Sequence, residues 1–122
     1  MNLKCLPDAL TVCKLTDLSR FSTDSDLYFL SRTDEELSLV CRTQETPDNT
    51  TSREDGWRGF RIEGVLDFSL IGILSRLTAV LAEQKIGVFA VSTYNTDYIL
   101  VKAEQLAKAV SALQEAGYTV VS

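Results

Sequence analysis

The residues best placed to do chemistry interrupt an apolar run, IEGVLDFSLIGILSRLTAVLAEQKIGVFAVSTYNTDYILV, from Ile62 to Val101. A strand-like segment from Phe60 to Leu66 ends at Asp67. A polar turn follows, and then a helical pattern with Gly72 in its first turn. A glycine inside a helix costs about 1 kcal/mol against alanine. It is useful where a ligand must approach the main chain closely. The first N–H groups of a helix have no intrahelical partner, and the helix dipole is positive at that end. This spacing therefore offers a carboxylate or phosphate pocket built from backbone.

Other chemistries are poorly provided for. The chain has no histidine among its 122 residues, so Ser-His and Cys-His nucleophile pairs and histidine-containing zinc sites are excluded. Cys5, Cys13 and Cys41 lack paired ligand spacing and sit in apolar, strand-like runs. An odd number of such cysteines reads as reduced, buried thiols of a cytoplasmic protein. No Asp-rich calcium loop occurs. The net charge of −5, with scattered Lys and Arg, argues against nucleic acid. No basic-then-apolar leader is visible, and no apolar run approaches the ~18 residues of a membrane span. The composition, 45% hydrophobic and 24% charged, is that of an ordinary globular domain. The Asn49-Thr50-Thr51 triplet carries no meaning for glycosylation in such a context.

The elements that must position the pocket follow from periodicity. Leu70, Leu74, Leu77 and Leu81 mark one face of a helix from Leu70 to Gln84, with Ser69 or Asp67 as cap and Gly87 at its end. Val88 to Thr93 and Tyr98 to Lys102 form a hairpin around Asn95 and Thr96. A second helix, Glu104 to Ala116, presents Leu106, Val110 and Leu113. Gly117 lies just past it, and Tyr118 to Val121 is a last strand. With Trp57 to Val65 as first strand, the second half reads β-α-β-β-α-β, an α+β ferredoxin-like unit. Trp57 and Arg58 read as a packing anchor.

The first half looks like the front of the same unit. Leu10 to Leu15 is a strand, with Leu3 to Leu6 beginning it and Pro7 interrupting. Asp17 to Phe21 allows one helical turn. Leu27 to Ser31 and Leu37 to Arg42 form a hairpin around Thr33-Asp34-Glu35. Thr43 to Gly56 is entirely polar and reads as a linker. The boundary is accordingly placed between a truncated module, 1–56, and a complete one, 57–122. LYFLSRTDEELSLVC and VFAVSTYNTDYILVK can be laid against each other as an internal repeat.

LDFSLIGIL, LAEQKIGVFAVSTYNTDYILV and LYFLSRTDEELSLVC together resemble the ACT domain, the ligand-binding regulatory module of amino-acid metabolism. The resemblance is closest to small two-module ACT proteins related to the C-terminal domain of aspartate kinases and to the cytosolic arginine sensor. It implies tandem βαββαβ modules, no catalysis, no cofactor, and an amino acid bound at a module interface. It places the ligand contacts at Leu70, Ile71 and Gly72, and at Thr93, Tyr94 and Asp97. The amides near Ile71 and Gly72 would hold an α-carboxylate. Asp97 would pair with the α-ammonium, and Thr93 would add a hydroxyl.

Each residue also has a plainer role: helix cap for Ser69, turn or cap for Asp67, close packing for Gly72, strand-end packing for Thr93 and Tyr94, and a turn for Asp97. Arginine-sensing relatives carry a carboxylate where this chain has Ser69-Leu70-Ile71, so a small or apolar amino acid fits better. The expected protein is a regulatory module, forming a homodimer and located in the cytoplasm, without nucleic-acid or membrane partners. The alternative is an interaction module that dimerises or docks a partner without ligand. An acylphosphatase-type enzyme is disfavoured, because no Arg occupies a glycine-rich loop after either leading strand.

Overall fold

The computed structural model describes residues 1–64 and 71–122. Its elements are strands β1 (Asn2–Cys5), β2 (Leu10–Leu15), β3 (Tyr28–Arg32), β4 (Leu37–Arg42) and β5 (Thr50–Ile62), helix α1 (Ile73–Glu83), strands β6 (Phe89–Ser92) and β7 (Asp97–Lys102), helix α2 (Leu106–Glu115) and strand β8 (Thr119–Val121). The chain forms two compact units. One is Asp8–Trp57; the other combines Met1–Pro7 with Arg58–Ser122. This division departs from a cut after residue 56, because β1 belongs with the C-terminal residues.

In the unit that holds both helices, the strand order is β6-β7-β5-β1-β8. β1 runs antiparallel to β5, with Leu3 opposite Ile62, and parallel to β8, with Leu3 opposite Val120. Leu3 to Leu6 therefore does not begin the same strand as Leu10 to Leu15. Pro7, with a fixed φ and no N–H to give a ladder, separates strands of different units. Alternation along β5 and β7 turns Phe60, Ile62, Ile99 and Val101 to one face. There they pack with Leu77 and Leu81 of α1 and Ala109 and Leu113 of α2. Leu106 and Val110 lie at the margin of this core. The order β5-α1-β6-β7-α2-β8 is the ferredoxin-like βαββαβ unit, with β1 added to its sheet.

Both helices end in the same device. Tyr118 N donates to Leu113 O (3.0 Å) and Gly117 N to Gln114 O (3.0 Å), with Gly117 left-handed at φ 101°. At the end of α1, Ile86 N donates to Leu81 O (3.0 Å) and Lys85 N to Ala82 O (2.9 Å). The left-handed residue there is Lys85, φ 59°, not Gly87. The helix stops before the glycine because the hydrogen-bond pattern, not residue type alone, fixes the position.

The Asp8–Trp57 unit is an antiparallel sheet in the order β3-β4-β2-β5. Cys13, Leu15, Leu37, Leu39 and Cys41 form its buried cluster, with Phe21 and Tyr28 packed against it edge to face, ring centroids 5.0 Å apart. Asp17 to Phe21 forms a hydrogen-bonded turn, Phe21 N to Leu18 O at 3.2 Å, and no helix. The presumed linker is largely ordered structure. Thr43–Glu45 is a 3-10 turn, and Thr50 to Gly56 is the start of β5, paired with β2. Thr51 to Asp55 are exposed, so polar side chains suit the strand while its main chain completes the ladder. Asp55-Gly56 is a β-bulge: two residues of β5 face only Thr11 between the Leu10–Trp57 and Val12–Glu54 pairs, and Gly56 takes φ 85°. The buried Thr11 hydroxyl donates to Asp55 Oδ1 (2.7 Å), and Arg53 Nε donates to the same atom (2.9 Å). Asn49 is committed internally, its amide donating to Thr16 Oγ1 at 2.9 Å.

Hairpins β3–β4 and β6–β7 share one register at a sixty-residue offset. Phe29 faces Val40 as Phe89 faces Leu100, and Arg32 faces Leu37 as Ser92 faces Asp97. Each second strand runs into a 3-10 turn. The repeat then diverges: α2 follows in one unit, Thr46-Pro47 and β5 in the other.

Candidate functional site

The start of α1 differs from the sequence-based placement. Gly72 is the N-cap at φ 80°, not a residue of the first turn, and α1 begins at Ile73. Left-handed backbone explains the glycine better than close packing does. No side chain caps this helix among the described residues, so its first amides have neither an intrahelical partner nor a capping oxygen. Ile71 is 85% exposed. Leu70, with Asp67 and Ser69, lies outside the described residues. Arg76 reaches back over this corner. Its Nη2 donates to Ile71 O (3.0 Å), and a Cβ on Gly72 would lie 3.4 Å from the same nitrogen.

The β6–β7 turn carries the other candidate residues. Thr93 N donates to Thr96 O (2.8 Å), and Thr93 Oγ1 donates to the same carbonyl (2.9 Å). The hydroxyl proton of Thr93 is thus engaged within the turn. Tyr94 projects at 81% exposure. Asp97 is the first residue of β7, opposite Ser92 and half-buried. Its carboxylate has no hydrogen-bond or salt-bridge partner among the described residues.

Thr96 ties this turn to the end of β5, and no hydrogen bond between the turn and Ile71 or Gly72 is present among the described residues. Thr96 is buried and donates its hydroxyl proton to Ile62 O at 2.7 Å. The turn that carries Tyr94 and Asp97 therefore abuts the end of β5, from which the chain leads to Gly72. Next to it, Arg61 donates to the Tyr98 side chain and to the Glu63 carboxylate (3.2 Å), and these bonds raise its pKa above the ordinary value. Sequence reasoning passed over Thr96 and Arg76. Arg76 had a signal, four residues beyond Gly72 and so one helical turn away. Thr96 looked like any polar turn residue.

Residues 52–115, more than half of the chain, match the family model for the ACT domain. The chain belongs to the ACT domain family. The match runs from within β5 to the last turn of α2. Among solved structures, protein Atu0741 from Agrobacterium tumefaciens is 29% identical, with a TM-score of 0.84 over 98% of this chain and 91% of that one. VC0802 from Vibrio cholerae, described as of unknown function and a possible transport protein, is 17% identical, with a TM-score of 0.67 over 93% and 88%. The ligand-free regulatory subunit of aspartate kinase from Thermus thermophilus is 9% identical, with a TM-score of 0.64 over 94% and 96%. The last two likenesses concern the fold alone. No curated protein matches. In this ACT chain no described helix is long and apolar enough to cross a membrane, a statement about helices only.

Proposed function

We propose that this ACT protein is a non-catalytic regulatory module that binds a small amino acid at the corner between the start of α1 and the β6–β7 turn. The amides after Gly72 would receive the α-carboxylate and Asp97 the α-ammonium. One observation carries the reading: the Thr96–Ile62 bond holds the Asp97 turn at the end of β5, the strand that precedes the uncapped helix α1 in the chain. N–H donors for an anion in one place and a carboxylate for a cation in the other are what a zwitterion requires. Thr93 would contribute turn geometry rather than a donated proton. An amino acid that favours one conformational or oligomeric state through differential contacts would make the module a regulator.

Ile71 and Tyr94 are apolar or aromatic and almost fully solvated. That supports a second reading, in which this corner also meets another copy of the chain, forming a homodimer with or without ligand. A thermal-shift panel of the amino acids at millimolar concentration, with native mass spectrometry for copy number, tests both. A rise in melting temperature that Asp97→Asn removes supports the sensor. A dimer indifferent to every amino acid supports the interaction module and rejects the sensor.

A further inference from the structure

A cleft of about 410 Å³ runs along α1 and meets the end of α2. Gly72, Thr93 and Asp97 do not line it. Its volume falls within the range of small-molecule sites. The walls come from Ala79, Val80 and Ala116, with Tyr118 beside them, and Arg76 and Glu83 add opposite charges. These two stand seven residues apart on α1, about 10 Å along the axis. Neither is held in an ion pair among the described residues. The Arg76 guanidinium donates to Ile71 O and keeps further N–H groups.

We propose that this cleft binds a short peptide of two or three small residues. Its C-terminal carboxylate would lie at Arg76, its N-terminal ammonium at Glu83, and its side chains against the alanine and valine wall. The length follows from the spacing of Arg76 and Glu83 along the helix axis: extended chain spans at most ~3.3–3.6 Å per residue, so about three residues match it. A free single amino acid is too short to reach both groups. The small residues Ala79 and Ala116 leave room for a main chain with methyl-sized side chains.

Titration calorimetry of the full chain with tri-alanine and with N-acetyl-tri-alanine, which lacks the ammonium, tests this. Tri-alanine binds, and acetylation weakens it by about threefold to fivefold, the effect of an exposed ion pair. Glu83→Gln produces the same loss with tri-alanine and no further loss with the acetylated peptide. Ala79→Leu fills the cleft and abolishes binding while circular dichroism stays unchanged. Asp97→Asn leaves tri-alanine binding intact, which separates this site from the amino-acid corner. Absence of binding to the unmodified protein overturns the proposal. So does equal weakening of both peptides by Glu83→Gln, persistence of binding in Ala79→Leu, or loss of binding in Asp97→Asn.

Discussion

Thr96 Oγ1 donates to the main-chain oxygen of Ile62 across 2.7 Å, from a residue only 7% exposed. This bond ties the β6–β7 turn to the end of β5. The Thr33 turn has no described counterpart to it, although it repeats the Thr93 geometry, with Thr33 N donating to Glu36 O at 3.0 Å and Glu36 N to Thr33 Oγ1 at 3.2 Å. The position equivalent to Thr96 there is Glu36, which is exposed.

Thr96→Val keeps the shape and removes the donor. The Ile62 carbonyl then loses its partner in a buried setting, which costs about 1–3 kcal/mol. Urea denaturation will show a lower midpoint at unchanged slope. Thr33→Val, at an exposed turn, will cost less than half as much.

Lys85→Gly is expected to stabilise the protein. A non-glycine residue in left-handed backbone costs about 1–2 kcal/mol, partly offset by the greater freedom of glycine in the unfolded chain, so the net gain is about 0.5–1 kcal/mol. Gly117→Ala, at φ 101°, will shift stability the other way. Thermal melts of the two variants must move in opposite directions.

Gly72→Ala meets no hard clash, since its Cβ would contact Arg76 at 3.4 Å. The strain is in the backbone at φ 80°, and the expected loss is about 1 kcal/mol. If the helix-start amides receive a carboxylate, the same variant weakens amino-acid binding beyond what Gly117→Ala does. Calorimetry on both variants measures that difference.

Burial, aided by the neighbouring Cys41, pushes the Cys13 thiol up from an ordinary value near 9 to about 11. The folded state therefore holds this proton more tightly than the unfolded chain does. The associated stability is fully present below pH 9 and is lost as pH rises through about 11. Cys13→Val removes this component of the alkaline decline, as denaturation midpoints at pH 8, 9, 10 and 11 will record. At pH 8 the native protein should alkylate far more slowly at Cys13 and Cys41 than the unfolded chain, which mass spectrometry resolves site by site.

The sequence by itself determined the elements whose side chains alternate or recur on a helical period. Leu77 and Leu81, Phe60 and Ile62, Ile99 and Val101 declare a buried face because burial demands apolar atoms at fixed spacing. Gly117 declared a helix end, and the Thr33 and Thr93 hairpins declared themselves as a repeat. Tertiary structure alone decided what depends on main-chain partners. Thr50 to Gly56 is a strand because β2 lies alongside it, and its exposed side chains never needed to be apolar. β1 joins the C-terminal residues because the places beside β5 and β8 satisfy its N–H and C=O groups. The role of Thr96 could not be read from its type, since a hydroxyl acquires meaning only when the fold brings an acceptor such as Ile62 O within reach.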